Sequence, residues 1–221
     1  MISVSFLEMT EVCGPIIVEL ERTSQAGDDG EFCFRVNGQK IFVTGTNWVP
    51  TDAFPSRHAD YQARGLEMLV DLNCNMVRTW GGNAYPDQAF YDFCDRNGIM
   101  IWQDFGMGCA VYPDDEWFCK ALEKEAIFQI KRLRNHPSLV LWAGDNECDL
   151  AYESWNGFRR NPNENRLTRQ VLKNAAERHD YTRPYLPSSP YFSPAAYAGG
   201  TETIPENHLW GPRDFFKGDF Y

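Results

Sequence analysis

Short apolar runs alternate with longer amphipathic segments along this 221-residue chain, and that alternation leaves few folds open. Residues 31–36 alternate in polarity and lead into Asn37-Gly38, a hairpin turn, so a strand pair is expected there. Residues 41–45 read as a buried strand. A helix is predicted over 60–72, with Leu66, Leu69 and Val70 on one face. A short strand over 75–79 comes next, then a helix after Pro86 that turns Phe90, Phe93 and Cys94 inward and stops at Asn97-Gly98. Residues 99–102 form another strand. The longest helix spans 115–134, with Lys131, Arg132 and Arg134 in the last turn, where the helix dipole favours cations. A strand over 138–143, a helix over 165–179, a weaker strand over 183–186 and a short sixth candidate over 207–210 complete the pattern.

Strands separated by helices imply parallel β/α units, and almost purely apolar strands imply burial on both faces. An open doubly wound sheet and a β/α barrel both satisfy this. Nucleotide-binding open sheets usually carry a glycine-rich loop after a strand. The nearest candidate is Gly106-Met107-Gly108, but Val111 stands where the third glycine would be, and no phosphate-loop motif occurs. Hydrophobic residues at 43% and aromatic residues at 14% suffice for a large core. A net charge of −10 and a pI near 4.9 exclude partners that need a positive field, so neither nucleic acid nor an anionic membrane is expected. No apolar stretch reaches membrane-spanning length, and Met1-Ile2-Ser3-Val4 lacks the basic head of a signal peptide. Seven cysteines, an odd number with no C-x-x-C pair, read as reduced thiols, and the four histidines have no metal-ligand spacing. Neither a metal nor a cofactor is expected.

In a β/α barrel the chemistry gathers at the C-terminal ends of the strands. Those ends read Asn47-Trp48, Arg78-Thr79-Trp80, Trp102-Gln103-Asp104, Trp142 followed by Asp145-Asn146-Glu147, and His208 with Trp210. Five of the seven tryptophans fall there, interleaved with hydrogen-bonding side chains. A single tryptophan is usually core, but this grouping suits a sugar, which offers C–H faces for stacking and hydroxyls at its rim. Glu147 stands out because it follows a buried strand and the Gly144 turn. Desolvation there is expected to raise its pKa and keep a proton available for general acid catalysis. Glycoside hydrolysis needs such an acid and a second carboxylate across the sugar. Asp104 is a candidate for that partner, or for a group that binds hydroxyls, and it is expected to shape the subsite rather than the core.

Four blocks occur in an order similar to that of family 2 glycoside hydrolases: Gly45-Thr46-Asn47-Trp48-Val49-Pro50, Val77-Arg78-Thr79-Trp80-Gly81-Gly82, Trp102-Gln103-Asp104-Phe105 and Arg134-Asn135-His136-Pro137-Ser138. With the segment 109–113, they most resemble its β-mannosidase branch. The resemblance implies an α/β fold, a (β/α)8 TIM barrel behind N-terminal β-sandwich domains, and hydrolysis of β-glycosides with retention. It implies Glu147 as general acid/base, Asn146 as the group that binds the sugar 2-hydroxyl, and Arg78 as the arginine that steadies the nucleophile. Trp80, Asp104, His208 and Trp210 are implied as substrate-binding residues.

About six of eight barrel units are expected in residues 31–221, after a segment, 1–30, from a preceding sandwich domain and its linker. The family's nucleophile glutamate follows the His-x-Trp block, and no such segment appears between Trp210 and Tyr221. The nucleophile, the C-terminal part of the barrel and the sandwich domains are therefore expected outside this chain. The expected partner is a β-linked oligosaccharide or glycoside. A β-galactosidase, a β-glucuronidase, an exo-β-glucosaminidase and a non-catalytic carbohydrate-binding derivative remain alternatives.

Overall fold

In a computed structural model the protein is described over residues 16–23, 31–157, 159–199 and 204–208. Strands β1 (Val18–Thr23), β2 (Glu31–Val36) and β3 (Gln39–Ile41) form a three-stranded antiparallel sheet, with the Asn37-Gly38 turn between the last two. β1 pairs with β2 along its whole length, so this sheet runs across the boundary expected at residue 30. Residues 41–45 do not make one buried strand. Phe42 is 85% exposed, and the strand of the second sheet starts only at Gly45. The Asn75 side chain explains the break, because it accepts from Thr44 N and donates to Phe42 O. It satisfies backbone groups that a strand partner would otherwise hold while the chain crosses between sheets.

The second sheet is parallel and five-stranded, in the order β4 (Gly45–Trp48), β5 (Met76–Thr79), β6 (Met100–Asp104), β7 (Leu139–Ala143) and β8 (Tyr185–Leu186). Each strand lies beside its predecessor and the order never reverses. A doubly wound sheet reverses at its switch point, so this winding is that of a barrel. Five parallel strands are present among the described residues. The sixth candidate is not a strand at Asn207 and His208, and its remainder falls outside the described residues.

The crossover helices form where local signals place them. α1 (His58–Asp71) buries Leu66 and Leu69, whereas Val70 is 43% exposed and lies off the expected face. α2 (Gln88–Asn97) is capped by Asp87, whose side chain accepts from Phe90 N, and it stops at Gly98 with φ 66°. α3 (Glu116–Leu133) is capped in the same way by Asp115. A short α4 (Cys148–Glu153) follows β7, and then a π-helical stretch, Leu167–Leu172, runs into α5 (Lys173–His179). There the Tyr185 hydroxyl donates to Thr168 O and diverts a carbonyl from the α-helical ladder. α6 (Pro194–Gly199) is the last described helix.

Two apolar clusters sandwich the parallel sheet. Val77, Ile101, Leu139 and Trp142 face the helices, where Phe90, Ile130 and Leu133 meet them. Met76, Met100, Trp102 and Leu141 face inward, where Val18, Phe34 and Val36 of the small sheet cover them. In β5 and β6 successive residues point to opposite faces, whereas the register shift beside β7 puts Leu139 and Leu141 on different sides. Arg78 therefore shares the inner face with Met76, and Asp104 shares it with Met100 and Trp102.

Candidate active site

At the C-terminal ends of β4 to β8 the inner face opens into a cleft of about 640 Å³. It is lined by Asn47, Arg78, Trp80 and Trp102 from the first three strands and their ends, by Cys109, Asn146, Glu147 and Ser189 from the loops that follow β6 to β8, and by Glu206 to His208. Glu147 follows β7 with φ 60°, a left-handed conformation that is uncommon for a residue with a side chain. Its N–H donates to Ser189 O at 2.9 Å, which fixes this conformation and sets the carboxylate in the cleft. Oε1 lies 2.7 Å from His208 Nδ1, and Oε2 accepts from Cys109 Sγ at 3.4 Å. Ser189 Oγ, 3.0 Å from His208 Nε2, holds the far side of the imidazole.

The charge on Glu147 departs from expectation. Burial does push its carboxyl up, but the His208 and Cys109 hydrogen bonds and the charges of His208 and Arg78 outweigh it. The net effect is a carboxyl held below the ordinary glutamate range. As the site stands, Glu147 is ionised at neutral pH.

Arg78 organises the part of the lining beside Asn146. Nη2 donates to Asp104 Oδ2 at 2.7 Å and to Asn146 Oδ1 at 2.9 Å, and Nε lies 3.3 Å from Asp104 Oδ1. The guanidinium also stacks over the Trp102 ring, 5.3 Å from its centroid. Asn146 is thus held at both ends, because its Nδ2 donates to Cys109 Sγ. Asp104 does not line the cleft. Its side chain has no exposed surface, and Arg78, Gly81 N and Trp102 Nε1 fill its oxygens. The expectation that Asp104 meets the sugar is corrected: it lies behind the wall and orients Arg78, because the inner face at that point is already covered.

The tryptophans divide. Trp80 and Trp102 line the cleft, but Trp48 and Trp142 belong to the helix-facing core, where Trp142 stacks on Phe105 and donates to Asp180. Trp210 lies outside the described residues. The fold therefore brings Arg78, Trp80, Asn146, Glu147 and His208 together.

A family model described as "Glycosyl hydrolases family 2, TIM barrel domain" matches residues 29–188. The chain belongs to glycoside hydrolase family 2. The β-mannosidase of Bos taurus is 37% identical over 199 residues, covering 86% of this chain and 22% of its own length. That of Mus musculus is 34% identical over 215 residues, covering 92% of this chain and 24% of its own. The chain thus spans under a quarter of the curated relatives it matches. A crystal structure of the β-D-mannosidase from Dictyoglomus thermophilum superposes with a TM-score of 0.73 at 44% identity, over 80% of this chain and 22% of that one.

Within this family 2 barrel, sequence reasoning missed Cys109, Ser189 and Glu206 as site residues. Cys109 and Ser189 each follow a barrel strand, β6 and β8, so the strand-end rule could have found them. Glu206 had no local signal. A further cluster, Asp92, Asp95 and His136, stands close enough to hold a metal ion, but its atoms are engaged. Asp95 Oδ2 lies 2.6 Å from His136 Nδ1, Asp95 Oδ1 accepts from Ser138 N, and Gln88 bonds to Asp92. These contacts tie α2 to the loop before β7.

Proposed function

We propose that this chain carries the acid/base side of a retaining exo-β-glycosidase acting on terminal β-linked sugars, β-mannosides first among them. One observation supports this above the others. The Asn146-Glu147 pair stands at the end of β7, with its amide locked by Arg78 and its carboxylate in the cleft beside His208. The sugar is taken from the relatives named β-mannosidase. In this reading Glu147 protonates the departing glycosidic oxygen and then, as a base, takes a proton from the attacking water.

A retaining reaction needs a second carboxylate about 5–5.5 Å from the first. Among the described residues lining the cleft the other carboxylate is Glu206, and Arg22 Nε lies 3.0 Å from both of its oxygens. The nucleophile is therefore assigned to a residue outside those described. Its negative charge would raise the Glu147 pKa before the first step and release it once the glycosyl bond has formed. That cycle supplies the proton which the present surroundings of Glu147 do not retain. Asn146 Nδ2 rests on a thiol, a weak acceptor, and can exchange it for a sugar hydroxyl. Trp80 and Trp102 offer flat faces for the ring.

Glu147→Gln in the full-length protein tests the assignment. Hydrolysis of β-mannosides with poor leaving groups should fall at least ~10²-fold, as for lost general acid catalysis. Glycosylation by activated aryl β-mannosides should fall less, because their departure needs little protonation. Equal losses on both, read from pre-steady-state bursts, would rule Glu147 out as the acid.

A further inference from the structure

Arg22 belongs to the small sheet outside the barrel, where it pairs with Phe32 across β1 and β2. Its side chain nevertheless reaches two segments of the catalytic face. Nε lies 3.0 Å from each Glu206 oxygen, and Nη2 donates to Tyr191 O at 2.6 Å. The guanidinium also covers the Tyr191 ring at 4.6 Å. Glu206 Oε1 accepts from Tyr191 N at 2.9 Å, which closes the clamp. Both charged side chains are nearly buried, at 12% and 5% exposure, so each needs the other.

The two clamped segments are the ones that hold Glu147. From the first, Ser189 accepts the Glu147 N–H and supports the His208 ring. From the second, two residues beyond Glu206, His208 lies against Glu147 Oε1. Taking Glu147 as the acid/base, we propose that Arg22 is a positioning residue for it, acting through Glu206 and His208 from behind the cleft lining.

The physical consequence has a definite sign. The charged or titratable groups around Glu147 are His208, Cys109 and Arg78, with Asp104 behind Arg78, Asp145 earlier in its own loop, and Glu206 in the cleft lining two residues before His208. Without Arg22, the segment that carries Glu206 and His208 loses its anchor on the small sheet, and His208 is no longer held against Glu147. Glu147 then loses its main hydrogen bond and keeps its burial, so its proton affinity rises.

The test compares the pH dependence of kcat/KM on an aryl β-mannoside for the full-length protein and its Arg22→Met, His208→Ala and doubly substituted variants. The limb assigned to Glu147 should move up by about one pH unit, a tenfold change in proton equilibrium, in each single variant. The double variant should move no further than His208→Ala alone. A limb unmoved by Arg22→Met, or shifts that add in full, would overturn the proposal. Should Arg22→Met fail to fold, Arg22→Met with Glu206→Gln removes both charges together and should show the same non-additivity with His208→Ala. Glu147→Gln is the separate control. If it leaves activity and profile intact, the acid/base reading fails, whereas loss of activity there with an inert Arg22→Met defeats this inference alone.

Discussion

Asp145 and Asp149 flank the Asn146-Glu147 pair in sequence, and both are wholly buried. Arg169 takes both oxygens of Asp149 at 2.6 Å. Asp145 Oδ1 accepts from Ser188 Oγ and Cys148 N, and its Oδ2 has no partner among the described residues. Burial, and after it the charge of Asp149, pushes the Asp145 carboxyl up to about 8 from an ordinary 3.8. Between those values the folded chain holds a proton that the unfolded chain has released. Stability conferred by this group is therefore complete below about pH 4, is lost progressively as pH rises towards about 8, and is level above it. Asparagine mimics the neutral acid and cannot ionise. Asp145→Asn is expected to flatten the dependence of Tm on pH between 5 and 8 and to raise Tm at pH 8. Parallel curves for the two proteins would show that Asp145 carries no proton in the fold.

Among the elements, the junction of β7, β8 and α4 sets the geometry of the candidate site. Gly144 ends β7 where the chain packs against the loop after β8, and a Cβ added there would collide with Pro187 O and crowd Tyr185 and Thr168. The backbone at Pro187 has little freedom to retreat, because Gly144 N donates to Leu186 O and Ser189 N to Asp145 O. This close approach is what lets Ser189 O reach Glu147 N. Gly144→Ala should cost about 1–3 kcal/mol, in the range of overpacked sites. It should also reduce activity beyond the loss expected from stability alone, because the support of Glu147 is displaced. Denaturant titration paired with kcat at a temperature where both proteins are folded measures the two effects separately. Unchanged stability would mean that the strand end can shift at no cost.

Seen as one molecule, the described residues make an open segment of barrel wall, with the outer side of β4 unpaired and Gly45 to Asn47 exposed. Unpaired strand edges invite association with other edges. The cleft holds one carboxylate, Glu147, that is not taken by an arginine among the described residues. The 221-residue chain by itself is expected to self-associate, rising in light-scattering mass with concentration. It should not turn over aryl β-mannosides, β-galactosides or β-glucosides. Turnover by the purified chain, lost on Glu147→Gln, would instead show that a second working carboxylate lies within these residues.

The sequence by itself determined most of the elements and the family. Asp115 and Gly98 mark helix ends through neighbours a few residues away, and apolar runs mark the strands, so both are legible without a fold. The strand-end rule likewise delivered Arg78, Asn146 and Glu147. The tertiary structure decided which way those strands face, which sends Trp48 and Trp142 into the core and Trp80 and Trp102 into the cleft. It also moved Asp104 behind Arg78, broke the expected strand at Phe42, and set the charge of Glu147. An apolar run announces a burial penalty that raises a carboxyl. The His208 ring that offsets it lies 61 positions along the chain, and the Arg22 clamp on Glu206 spans 184, separations at which no local pattern carries the balance between them.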